Sequence, residues 1–245
     1  ICQGAAIPNN NNAASIDAVN TAFDLDATLG NKGSVSFWYK SQKAWSGGGA
    51  LNAQLMDATT ANNQWFFLTK DNNGKLRLVL TDAAGAIVAV ESAANSVAAG
   101  TWAHLAASWR LAAGGNQSVL RIFLNGALVA SANVTTNGAL PGSLGTLHLG
   151  DNRSNFIKAG ATPGTANSAN GTLDEVRVYN YEINSAQVLA DMAATHGCEL
   201  DVRVGGFNAV DVAADAISGK ITSKTAGSAF NLDLVALNAA HDALA

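Results

Sequence analysis

"SVLRIFLNGALVASA", residues 118–132, reads as two strands folded on a two-residue turn. Asn125 and Gly126 divide the run, and both residue types accept the positive φ that a tight hairpin needs. The same pattern recurs on both sides. "SVSFWYKS" (34–41) alternates, with Val35, Phe37 and Tyr39 on one face. "QWFFLTK" and "KLRLVLT" flank "DNNG" at 71–74, and "DAAG" at 82–85 leads into "AIVAV". "TWAHLAASWRL" (101–111), "TLHLG" (146–150) and "GTLDEVRVYNY" (171–181) complete the set. Many strands with tight turns predict an all-β antiparallel β-sandwich of jelly-roll type rather than alternating βαβ units.

One segment breaks the alternation. "NSAQVLADMAATHG" (184–197) has Asn184 as N-cap, Gly197 just past the end, and Val188, Leu189 and Met192 at helical spacing. It predicts one short helix packed on the sandwich edge. Beyond Cys198, "LDVRVGG", "AISGKITSKT" and "FNLDLVALN" are three further strand-like runs, too few to close a sheet around its own core. The expected organisation is a jelly roll over residues 1–198, then at 199–245 the opening strands of a second, incomplete β module. With no Met at position 1 and no signal peptide, the chain reads as a piece of something longer.

Composition narrows the function classes. Of the 245 residues 48% are hydrophobic, enough for a sizeable core, and 13% are charged, with a net charge of −4. No block of Lys or Arg points to nucleic acid. No apolar run approaches the roughly 20 residues of a bilayer span, so no membrane insertion is expected. The two cysteines, Cys2 and Cys198, bracket nearly the whole first domain. If paired, they would close a loop that stabilises by about 5 kcal/mol on the chain-entropy model, in an oxidising compartment. The other reading is two unrelated thiols.

"NGTLDEVRVYN" (170–180) poses a problem. Simple alternation puts Asp174 on the same face as Val176 and Val178, where an unpaired carboxylate is costly. Asp174 is therefore assigned a structural role, anchoring loop N–H groups by charge-assisted bonds.

In order, "GSVSFWYKS", "GKLRLVL", "TWAHLAASW", "LRIFLNGALVAS", "LHLGDN" and "NGTLDEVRVYNYEI" resemble the laminin-G-like, concanavalin-A-like jelly rolls over residues 13 to 196. "FWYKS", "LMDATT", "LHLGDNRSN" and "ANGTLDEVRVYNYEIN", with "AISGKITSKTAGSAFNLDLVALNAA", further resemble MshQ-type proteins, exported components linked to MSHA-class type IV pili. The resemblance implies an extracellular, cell-surface or pilus-associated module.

The same jelly roll carries glucanases, which use Glu residues in an E-x-D-x-x-E arrangement. The four glutamates here, Glu91, Glu175, Glu182 and Glu199, lack that spacing, and His104, His148, His196 and His241 are scattered. An enzyme is not expected. Family analogy implies calcium at one rim, with Asp57, Asp151, Asn152 and Asn170 approaching each other as oxygen ligands. Turn capping is the competing role for each. Asp24 and Asp26 form a second possible set. Trp45, in a Gly-rich loop, is the candidate platform for a sugar ring, and Trp38 is a strand residue open to exposure. Arg153 beside the rim would pair with a carboxylate or acidic sugar. The resulting expectation is an adhesion module binding glycan or protein through rim loops, alongside other pilus components. The alternative is a structural spacer with no external ligand.

Overall fold

The computed structural model describes residues 4–7, 17–60, 64–113, 117–151, 168–195, 206–211, 217, 221 and 229–237. In chain order the elements of the first unit are β1 (Ala5–Ile7), β2 (Asp17–Asp24), α1 (Leu25–Leu29), β3 (Lys32–Ser41), β4 (Ala53–Asp57), β5 (Phe66–Lys70) and β6 (Leu76–Thr81). They continue with β7 (Ile87–Glu91), β8 (Trp102–Arg110), β9 (Ser118–Leu124), β10 (Ala127–Val134), β11 (Thr146–Asp151), β12 (Gly171–Tyr179) and α2 (Ser185–Ala193). Two six-stranded sheets result: sheet A in the order β1-β12-β3-β8-β9-β10, and sheet B in the order β2-β11-β4-β5-β6-β7. Every pairing of these strands is antiparallel. This is the two-layer, all-β jelly roll that the alternation predicts.

The inward faces meet in one core. Val35, Phe37 and Tyr39 of β3, Leu105, Ala107 and Trp109 of β8, and Phe66, Leu68, Leu76, Leu78 and Leu80 of β5 and β6 are fully buried in one cluster. Phe66 and Trp109 meet edge to face at 4.9 Å across it. Truncating a side chain such as Phe37 to Ala would cost about 3–5 kcal/mol, because the cavity closes only in part. The β9–β10 hairpin turns on Asn125 (φ 48°) and Gly126 (φ 84°), the two positive values that its sequence requires.

Two irregularities set which side chains leave the core. In β4 the register shifts between Gln54 and Met56, so Leu55 and Met56 both enter the core while Gln54 and Asp57 face outward. In β12 it shifts between Asp174 and Arg177: Asp174 pairs with Trp38, Arg177 with Ser36 and Val178 with Val35. Glu175 and Val176 thus stand against Phe37, and the alternation changes phase. Asp174 shares the outward face with Trp38, while Val178 shares the inward face with Val35. The simple alternation that placed Asp174 with Val178 is corrected by this bulge.

Helix α2 begins at a full capping box: Asn184 accepts from the Gln187 N–H, and the Gln187 side chain accepts from the Asn184 N–H. It ends at Ala193 rather than running to Gly197. It lies on the outward face of sheet A, not on an edge: Val188 packs with Ala106, Phe123 and Ile183, and Leu189 abuts Gly126. Of the expected apolar stripe only Val188 is buried, and Leu189 is 54% exposed. No described helix is long and apolar enough to cross a membrane.

The chain divides into two compact units, Ile1–His196 and Gly197–Ala245. In the second, β13 (Gly206–Val210) and β14 (Asp233–Leu237) form an antiparallel pair. Of the three strand-like runs expected after Cys198, the first contributes Gly206 to β13 and the third supplies β14, while most of the second, 216–225, lies outside the described residues.

Candidate functional site

The expected site residues do not come together as one rim. Asp57 ends β4 and pairs with His148, whereas Asp151 lies three positions further along β11. At about 3.3 Å per residue that is roughly 10 Å along the strand. Asp151 therefore lies near the start of β4, and Asn170, whose carbonyl accepts from the Gln42 N–H at 3.0 Å, lies near the end of β3. Residues 42–52 join those two strands, so Asp151 and Asn170 belong to one end of the sandwich. Asp57 belongs to the other, where Ala58 accepts from the Gly145 N–H. Asp57 is therefore separated from Asp151 and Asn170 by the length of the strand. Asn152 and Arg153, like Cys2 and Cys198, lie outside the described residues. Among the described residues no three His, Cys, Asp or Glu side chains gather as a metal site.

Most of these groups do turn chemistry. Asp57 Oδ1 accepts from the Thr59 N–H at 2.9 Å. Asp24 caps α1 by accepting from the Ala27 N–H. Burial, with Asp24 beside it, raises the Asp26 pKa. Asn170 has φ 46° and leads into Gly171, where any Cβ would lie 2.4 Å from the Lys40 carbonyl oxygen. Asp174 Oδ1 accepts from the Glu175 N–H at 2.8 Å, and Glu175 has φ 53°. The Asp174 carboxylate thus holds the β12 bulge rather than a loop.

Trp45 requires a correction. It is fully buried, 6.1 Å from Tyr39, and its backbone N–H donates to the Val97 carbonyl. The Gly-rich loop folds inward, so Trp45 has no face to offer a sugar. Lys70 closes the same end of the sandwich: its Nζ donates to the carbonyls of Leu51 and Asp71, and burial lowers its pKa to about 8. Trp38 is half-buried against His104, at 5.3 Å edge to face.

The outward face of sheet A is occupied by a polar latch that sequence reasoning missed. Asp191 of α2 accepts from Ser36 Oγ and from Tyr179 Oη, both at 2.6 Å. Arg177 donates to the carbonyls of Asp191 and Ala194 and pairs with Glu175 at 2.8 Å. Glu182 bridges Arg110 and Arg121 at 2.7 and 2.6 Å. Beneath α2, His104 is fully buried with neither ring nitrogen bonded. Burial lowers its pKa to about 4; Asp191 opposes that shift and Arg177 reinforces it.

The outward face of sheet B is built differently. The register aligns Gln54, Thr69, Arg77 and Glu91 in one cross-strand row, and His148, Asp57, Phe67, Val79 and Ala89 in the next. Trp65 packs with Phe67 and Val79 in a small apolar cluster there. Three buried polar atoms on this face lack a protein partner: Gln54 Oε1, Trp65 Nε1 and Arg77 Nε. Such atoms cost free energy unless something else bonds them. Gln54, Phe67 and Val79 are fully buried and Trp65 is 3% exposed, so the middle of this face is closed to solvent as well.

Residues 10–189 match the model of the concanavalin A-like lectin/glucanases superfamily, within the Laminin_G_3 family. The chain belongs to that superfamily. Its members include the lectins and glucanases of the name, so membership fixes the fold and leaves the activity to the residues. No curated protein matches the sequence. Among solved structures it is similar to the Ruminococcus gnavus IT-sialidase CBM40 bound to α2,3 sialyllactose, at 16% identity and a TM-score of 0.50, covering 77% of this chain and 95% of that one. It is also similar to the leech intramolecular trans-sialidase complexed with 2,7-anhydro-Neu5Ac, at 16% identity and a TM-score of 0.52, covering 83% of this chain and 29% of that one. Mouse laminin α1 chain domains LG4-5 match at 11% identity and a TM-score of 0.47, over 74% and 42% of the two chains. At these identities the superfamily fold is what they share.

Proposed function

We propose that this superfamily member is an exported, non-enzymatic recognition module that binds a glycan or protein through its rim loops. The observation that carries this reading is the match of residues 10–189 to the concanavalin A-like lectin/glucanases superfamily. The fold is shared with a module whose structure holds sialyllactose, which supports the ligand class. The non-enzymatic reading rests on the carboxylates: Glu91, Glu175 and Glu182 are each committed to a cation. The leech enzyme's activity does not transfer, since the match spans 29% of that chain.

The proposed setting is extracellular, at a cell surface or on an MSHA-like type IV pilus with other pilus components as neighbours, as the MshQ-type resemblance implies. Calcium stays in the proposal only with Asp151, Asn152 and Asn170 as its ligands, without Asp57. A spacer within the pilus apparatus is the second reading, and the rims favour it: Asp71 and Asp82 turn their carboxylates onto their own loop N–H groups. A glycan array probed with the purified chain decides between them. Recognition predicts binding that Asp151→Ala removes while the melting temperature holds. Absence of any glycan or surface-protein binding, with pilus assembly impaired on deletion, would establish the spacer.

A further inference from the structure

One strip of the outward face of sheet A escapes the helix. The latch holds Ser36 and Arg177; Trp38 and Asp174 form the next row, and Thr172, Lys40 and Trp102 the row beyond it. Leu173, Tyr39 and Ala103 enter the core, so their neighbours Thr172, Lys40 and Trp102 point outward. This row lies where Gln42, just past β3, bonds the Asn170 carbonyl, so it adjoins the rim that carries Asn170. Its three members and Asp174 are half-buried rather than buried. Of the five tryptophans, Trp38, Trp45, Trp65 and Trp109 have an indole N–H shut away from water, and Trp102 alone keeps its own at the surface. Lys40 Nζ, Thr172 Oγ1 and Asp174 Oδ2 also reach solvent, and none of them hydrogen-bonds a described residue. The Lys40 ammonium rests instead 4.8 Å from the centre of the Trp102 ring.

We infer that this strip binds a neutral hexopyranose, an inference that rests on reading the chain as a recognition module. A pyranose offers an apolar C–H face for Trp102 and a rim of hydroxyls, each both donor and acceptor. Lys40 stands between Trp102 and Thr172, and the whole row spans roughly 10 Å, the reach of one hexose between flanking side chains. A lone contact between an exposed ammonium and a ring is weak, so a sugar can take the Trp102 face and leave Lys40 to donate to its hydroxyls. Asp174 lies diagonally across from Lys40, about 7–8 Å away along the backbone, and supplies the acceptor. This pairing sets the ligand class. An anionic group on Lys40 would meet Asp174, and a cation on Asp174 would meet Lys40, whereas hydroxyls satisfy both. The ligand is therefore a neutral hexose rather than a sugar acid or an amine.

The test uses the whole chain on an array of glycans ending in neutral hexoses, each paired with an acidic counterpart. The wild type should prefer the neutral member of each pair. Trp102→Ala should weaken that binding by about 30-fold or more, as loss of an aromatic anchor does, while Trp102→Tyr keeps most of it. Lys40→Met retains the stem without the donors and should weaken binding by about 10-fold. Melting curves confirm that the variants fold. Preference for the acidic members, or undiminished binding by either Trp102→Ala or Lys40→Met, would overturn the hexose inference and leave the recognition reading standing. Binding to a surface protein alone would do the same. Binding to neither glycan nor protein would overturn both.

Discussion

Tyr179 at the end of β12 donates its phenolic proton to Asp191 at 2.6 Å, so the last strand of the sandwich directly holds the helix that follows it. Ser36 bonds the other carboxylate oxygen. Only Val188 of that helix is buried, which leaves much of the docking to this polar contact. Asp191→Ala should lower stability by about 3 kcal/mol, since two charge-assisted bonds are lost. The melting temperature should fall by roughly 6–12 °C in a chain of this size. Exchange of the α2 amides with deuterium should rise selectively. Unchanged protection of 185–193 would show that Asp191 does not carry the docking.

His104 beneath α2 makes stability depend on pH. Its folded pKa is lowered from 6.5 to about 4, chiefly by burial. The unfolded chain therefore takes up the proton first as pH falls. The stabilising effect of the neutral imidazole is complete above about pH 6.5 and is lost as pH drops through the window down to about 4. The whole window is worth about 3 kcal/mol. Urea unfolding of wild type and His104→Phe across pH 4 to 7 checks this: the difference between them should change with a slope approaching 1.4 kcal/mol per pH unit. Parallel curves would mean that His104 titrates normally.

Asp174 and the β12 bulge give a third test. Asp174→Ala removes the acceptor of the Glu175 N–H and should cost about 1–2 kcal/mol. Asp174→Asn keeps an acceptor oxygen and should cost less than half of that. Equal losses in the two variants would show that charge, not the bond to the bulge, is what Asp174 contributes.

Calcium can be assigned to an end of the sandwich by thermal unfolding of EDTA-treated protein with and without millimolar calcium. The shift expected from an ion at Asp151, Asn152 and Asn170 should disappear in Asp151→Ala and persist in Asp57→Ala. Loss of the shift in Asp57→Ala would bring Asp57 back into a shared site, against the strand register that separates it from Asp151.

What was legible from sequence was local. Asn125-Gly126 declares its hairpin because two adjacent residues decide the backbone there, and Asn184 declares its cap for the same reason. The β12 bulge was hidden because it is recognised only by which β3 residues face Asp174 and Arg177, a relation over more than 130 positions. Strand β2, "DAVNTAFD", lacks clean alternation and shows only in its pairing with β11. Trp45 was misread because a Gly-rich loop suggests exposure, whereas contact with Tyr39 turns it inward. Lys40 and Trp102 went unnoticed as a pair because their row is assembled from separate strands.

The β12 bulge has a consequence for insertions and deletions. Glu175 and Val176 together occupy the one place opposite Phe37, so the strand changes phase there without moving its two halves. Deleting Glu175 would leave a regular ladder in which Val176 alone stands against Phe37, and Arg177 and Tyr179 would still face outward to hold the helix. Deleting Val176 instead would put the Glu175 carboxylate at the inward place, where an unpaired charge is costly. A relative could therefore shed Glu175 and keep the sandwich and its helix, but it could not shed Val176 on the same terms.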